Sequence, residues 1–264
     1  MKPTAKLLKS CWAKKMNNMN KIRCLSSNTI KIIAAVCMLF DHMGYLLFPN
    51  TLWFRVVGRL AFPLFAFMIS EGTRYTKNKL RYFLTVFIFG IGCQIPFALM
   101  EGAWHLNVFI TFSVSIAIIY ALDLFKKCFF DKNCSIVFKV LSFLLFCASA
   151  IGVLHLNAKI PSIHLDYGLY GCVMAVFASM PNLNRTDAPQ WLKRFDNMPV
   201  RILCMLFPLF MYSYAAGGYQ YVSLLTLPLL LLYSGKRGKY NMKYFFYIFY
   251  PLHIVVLYGI SLLF

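Results

Sequence analysis

Residues 31–49 read KIIAAVCMLFDHMGYLLFP, an apolar run opened by a lysine, closed by a proline and broken by the pair Asp41-His42. A helix needs about 20 mainly apolar residues to cross the hydrocarbon core of a bilayer, and this run fits one such passage. An acid and an imidazole about twelve residues into it, at about 1.5 Å per residue, stand past the midplane. The stretch therefore predicts both the fold, built from membrane spans, and a titratable group lodged inside one of them.

Outward from that run the pattern repeats. Of the 27 Lys and Arg residues, 24 fall in five clusters: eight from Lys2 to Lys31, then four each in Arg74–Arg81, Lys126–Lys139, Arg185–Arg201 and Lys236–Lys243. Arg55, Arg59 and Lys159 are left over. Lys and Arg beside short loops are retained in the cytoplasm, so the clusters mark the inner face and the amino terminus is expected inside. At 60% hydrophobic and 13% charged the chain departs from soluble proteins, of which about 25% of residues are charged. Parsing by length predicts an all-α, polytopic bundle of about nine spans, near 30–48, 57–72, 82–100, 106–125, 136–155, 165–180, 199–216, 219–234 and 244–263. Spans seven and eight, parted only by Gly217-Gly218, are also compatible with one bent hairpin. Residues 1–28 read as a basic cytoplasmic segment without an apolar signal core, and 29–264 as one membrane domain.

Several function classes drop out. The net charge of +19 is distributed between apolar spans, which makes it an orientation signal rather than a nucleic-acid surface. The nine cysteines form no C-x-x-C pair, and on this topology none lies in an external loop, so neither a disulfide framework nor a metal site is expected. No phosphate-binding glycine loop, G-x-S-x-G elbow or H-E-x-x-H occurs.

Chemistry must then rest on the ionisable groups inside the spans, where a charge costs about 2.5–3.5 kcal/mol on insertion scales. Asp41 and His42 point about 100° apart on a helix, so they cannot share a partner. The expected arrangement has His42 facing a cavity and Asp41 meeting a cation on the next helix; a buried ion pair with a bystander histidine is the alternative. Arg55 and Arg59, four apart on one face of WFRVVGRLAFPLFAFMISEG (53–72), are the expected cations. Pro63 would free a backbone carbonyl nearby. Glu71, beside Arg74, reads either as part of the site or as a solvated cap. Gln94, Asn107, Asp166 and His253 are further polar candidates for the substrate side.

At these residues the chain resembles the TraX family of conjugative pilin acetylases, and more distantly the multi-span acyltransferase-3 and heparan-glucosaminide acetyltransferase groups. The resemblance rests on KIIAAVCMLFDHMG (31–44), RVVGRLAFPLFAFMISEG (55–72), CQIPF (93–97), NVFITF (107–112), DYGLYG (166–171) and YFFYIFYPLHIVV (244–256). It implies acetyl transfer from acetyl-CoA to an amine, such as a pilin or peptide amino terminus or an amino sugar, in a bacterial cytoplasmic membrane. By position, His42 matches the first-span histidine that acts in these enzymes and His253 that of the last span. On that implication His42 is the general base, or carries the acetyl group covalently, Asp41 or another carboxylate fixes its tautomer, and a cation such as Arg59 or an amide such as Gln94 stabilises the oxyanion. Arg74, Lys77, Lys79 and Arg81 would hold the coenzyme phosphates. A hydroxyl acceptor on a glycan, and a transporter using the same charges as an ion path, are the competing readings.

Overall fold

The computed structural model describes residues 23–101, 105–159, 164–240 and 242–263. The chain runs through helices α1 (Ser27–Leu46), α2 (Leu52–Gly58), α3 (Ala61–Tyr75), α4 (Lys79–Glu101), α5 (Val108–Phe130), α6 (Ile136–Lys159), α7 (Gly168–Ser179), the short α8 (Gln190–Lys193) and α9 (Met198–Ala216). A 3-10 helix (Gly218–Leu225), α10 (Thr226–Leu231) and α11 (Lys243–Ser261) complete it. Among the described residues, five helical stretches are long and apolar enough to cross a membrane: Ser27–Leu46, Leu52–Tyr75, Val108–Phe130, Ile136–Val153 and Met198–Ala216. Gly168–Ser179, Gly218–Leu231 and Phe245–Ser261 are shorter apolar helices. The all-helical membrane architecture stands, while the count of nine and the side of the amino terminus rest on charge and hydropathy alone.

Local chemistry explains the boundaries. Ser26, Asn107 and Asn197 cap α1, α5 and α9 by accepting bonds from the backbone N–H groups of Thr29, Phe109 and Val200. Gly217, at φ +66°, ends α9 in a conformation that side chains resist, so spans seven and eight of the sequence reading are a full helix followed by a 3-10 and short α segment. The second expected span is made of two helices, α2 and α3, parted by a turn. Pro63 has no N–H to offer the carbonyl of Arg59, and the chain turns at Arg59-Leu60 between α2 and α3.

The centre of the bundle is α3 with α5 and α7. Phe67, Leu64, Ile116, Ile119, Met174 and Ala175 are fully buried there, while α6 exposes Ile136, Val137, Phe138 and Leu144 as lipid would require. Helix α1 packs on α2, α3 and α11, and α11 packs on α4. Two small strand pairings close the ends. His105-Leu106 runs parallel to His164-Leu165 at one end, and Leu25 bridges Tyr233 at the other. There the Ser27 and Asn28 amides donate to the Lys236 and Arg237 carbonyls, drawing the loop after α10 over the start of α1. Gly238, at φ +94°, lies so close that a Cβ would come within 2.9 Å of the Ser26 hydroxyl.

Candidate active site

Helix α1 carries the site. Its imidazole at His42 is joined to the one on α11: His42 Nδ1 and His253 Nε2 lie 2.7 Å apart. His253 Nδ1 lies 2.9 Å from the Phe249 carbonyl, an atom that only accepts. For neutral rings the tautomers follow. His253 Nδ1 holds the proton and donates to Phe249, His253 Nε2 accepts from His42 Nδ1–H, and His42 Nε2 is left with its lone pair. Pro251, two residues earlier on α11, interrupts the helix ladder near this pair.

Asp41 turns away from its neighbour. Its two oxygens accept from Arg59 Nη2 at 2.6 Å and Arg55 Nη1 at 3.1 Å. Arg55 also donates to the Asp41 carbonyl, and Arg59 to the Arg55 carbonyl and the Gln220 amide oxygen. Gly58 makes this possible, because a Cβ there would lie 2.3 Å from the Asp41 carboxylate. The orienting role expected of Asp41 is thus corrected: a carboxylate with both oxygens on guanidinium groups is not the partner of His42, and His253 takes that place.

Two cavities meet around His42. The first, of about 380 Å³, is lined along α1 by Asn28, Lys31 and Met38, with Arg81, Phe65, Val108, Arg237, Phe246 and Tyr250 among its other walls. The second, of about 170 Å³, is lined along the same helix by Asp41, His42 and Tyr45, together with Arg55, Arg59, His105, Asp166, Tyr167 and Tyr212. From Lys31 to Tyr45 is about 21 Å of helix, so the two lie toward opposite ends of the bundle. A neck of about 40 Å³ lies between them. Met38, Phe65, Val108 and Tyr250 line it in common with the first cavity, and Asp41, His42, Asp166 and Tyr167 in common with the second. Tyr167, in the left-handed region at φ 60°, stacks on Phe62 at 3.8 Å and shapes this wall.

Other expected site residues are placed elsewhere. Glu71 is buried, not solvated: it pairs with Arg201 and accepts from the Tyr233 hydroxyl at 2.9 Å. Arg201 also holds the Ser70 hydroxyl and the Ala178 carbonyl, so this cluster ties α3 to α7 and α9. Gln94 and Asn107 bond each other, the His105 and Gly90 carbonyls, and the start of α5. They position backbone and do not face the neck. Arg74 pairs with Asp196 and Lys79 with Asp123. Lys77 is exposed and lines neither cavity, so of the four expected phosphate ligands only Arg81 lines the first cavity. Its basic companions there are Lys31 and Arg237, which look like any other charge flanking a span in the sequence. The side chain of His155 lies outside the described residues, and His164 is placed by its backbone pairing with His105.

The fold and site define a class: a membrane-embedded helical protein in which a pair of hydrogen-bonded histidines stands between two cavities. Within that class the chain belongs to the TraX family, described as "TraX protein", which it matches over residues 26–261. It is 25% identical over 250 residues to a protein named probable fimbrial assembly protein FimC, serogroup H1, of Dichelobacter nodosus, covering 88% of this chain and 94% of that one. An uncharacterized protein of Rickettsia prowazekii (strain Madrid E) is 35% identical over 66 residues, a quarter of each chain. No solved structure matches this chain.

Proposed function

We propose that this chain is an integral membrane acetyltransferase serving pilin or fimbrial assembly, which moves an acetyl group from acetyl-CoA on the basic, cytoplasmic side to an amine on the opposite side. The single observation that carries the reading is the position of His42 at a neck shared by a basic cavity and a polar one. Family membership and the name of the Dichelobacter relative support the context.

The chemistry fits the groups present. Lys31, Arg81 and Arg237 would hold the coenzyme phosphates by charge-assisted hydrogen bonds. The pantetheine arm would then run past Phe65 and Met38 toward the neck. An amine entering beside Tyr45 and His105 attacks the thioester carbon while His42 Nε2 takes its proton. Guanidinium groups at Arg55 and Arg59 stabilise the developing oxyanion. The C–S bond then breaks, the imidazolium returns the proton to the leaving sulfur, and the products are an amide and a free thiol.

Purified protein in detergent tests this directly. Thiol release from acetyl-CoA in the presence of an amino-terminal peptide is expected, falling about 10²–10⁴-fold in His42→Ala, the usual worth of a general base. A His42→Ala protein that releases thiol at the wild-type rate removes the imidazole from the mechanism. Wild-type protein that releases none in detergent points instead to a transporter, which needs a sealed membrane.

A further inference from the structure

A third hollow lies outside the histidine site, on the surface between α4 and α11, helices that the hydropathy pattern assigns to the membrane. It is an open groove of about 740 Å³ lined by Arg81, Thr85, Ile88, Gly92, Tyr247 and Pro251, with Asn78 and Leu84 beside them. Asn78, Leu80 and Arg81 stand at its basic end, Leu84 and Thr85 lie a turn further along α4, and beyond them Ile88, Phe89 and Gly92 give an apolar floor. Ile88 is 63% exposed, and a Cβ at Gly92 would meet no atom within 4 Å. From Arg81 to Gly92 is about 16 Å of helix, within the roughly 30 Å hydrocarbon thickness. Nearby Arg74 and Lys79 are neutralised by Asp196 and Asp123, whereas no carboxylate among the described residues forms an ion pair with Arg81.

A groove with one unneutralised guanidinium at its head and an apolar floor facing lipid is complementary to an anionic amphiphile. We propose that it is a binding site for an anionic phospholipid, whose phosphate meets Arg81 and whose acyl chain lies over Ile88, Gly92 and Pro251. This does not rest on the acetyl-transfer reading. It adds a consequence to it, because Arg81 also lines the basic cavity, so the lipid headgroup and the coenzyme phosphates compete for that guanidinium.

The test uses the full chain in detergent with equimolar phosphatidylglycerol and phosphatidylcholine of identical tails, counting retained lipid by native mass spectrometry. The wild type is expected to retain phosphatidylglycerol about fivefold over phosphatidylcholine, the worth of one basic residue at an anionic surface. Gly92→Leu fills the groove and lowers retention of both lipids, with an unchanged melting temperature in lipid-free detergent showing that the fold is kept. Arg81→Gln erases the preference while leaving tail binding. Equal retention of the two lipids by wild type, undiminished phosphatidylglycerol on Gly92→Leu, or a preference surviving in Arg81→Gln overturns the proposal. So does full displacement by soluble glycerol phosphate, which would mark a phosphate site without a tail.

Discussion

His42 and Asp41 are adjacent in sequence and opposite in duty. One helical step turns His42 toward His253 and Asp41 toward Arg55 and Arg59, so the acid neutralises cations while a second imidazole sets the tautomer of the first. In the proposed mechanism His253 is a positioning residue, and its effect depends on an acceptor atom. His253→Ala removes the acceptor and is expected to lower kcat about tenfold or more, whereas His253→Gln, whose amide oxygen can accept from His42 Nδ1–H, should recover part of the loss. Steady-state kinetics on both variants check this. Equal losses would reduce His253 to packing. The pair Asp41-His42 and the two arginines were legible in the sequence because charges inside apolar runs are costly and few. The identity of the partner of His42 was not, because it lies 211 residues away on the last helix and no local spacing points to it.

Among the elements, α3 is held by two devices of different kinds. Toward the basic end, Glu71 pairs with Arg201 in the core, with Tyr233, Ser70 and the Ala178 carbonyl completing the set. Losing one partner of a buried pair costs about 3–5 kcal/mol, because the other charge is left unmatched. Arg201→Leu should therefore lower the melting temperature in detergent sharply, and a joint replacement of Glu71 and Arg201 by apolar residues should recover much of it. An undiminished melting temperature for Arg201→Leu would show that the pair contributes nothing. Before α3, close approach at Gly58 lets Asp41 reach both arginines. Gly58→Ala is expected to displace the carboxylate and reduce turnover while the helix content measured by circular dichroism is retained. Wild-type turnover in that variant would show the ion cluster to be dispensable. Of these features the loosened backbone before Pro63 was legible from its missing N–H. In the sequence Arg201 looks like one more basic loop residue, because burial is set by neighbours that the local sequence does not name.

Across the molecule, opposed cavities turn a list of charges into a path. The basic one gathers Lys31 from α1, Arg81 from α4 and Arg237 from the loop drawn over the start of α1. Lys31→Ala and Arg237→Ala are each expected to raise KM for acetyl-CoA about tenfold with little change in kcat, in line with one charge-assisted bond of about 1.5–3 kcal/mol. Lys79→Ala, which breaks the pair with Asp123 and the contact over the Tyr120 ring, should leave KM in place. The reverse order would move the coenzyme to the other cluster. Charge patterning made the basic end legible as a whole, but not which of its cations are spent on Asp123 and Asp196, since one acid stands on α5 and the other in the loop before α9, both distant in sequence. The most direct test of a path through His42 is a sealed one. Protein in vesicles of one orientation is given labelled acetyl-CoA at the basic face and an amino-terminal peptide confined to the other side. Acetylated peptide should accumulate across the bilayer with wild type and not with His42→Ala. Transfer only to peptide on the donor's own side would contradict the account.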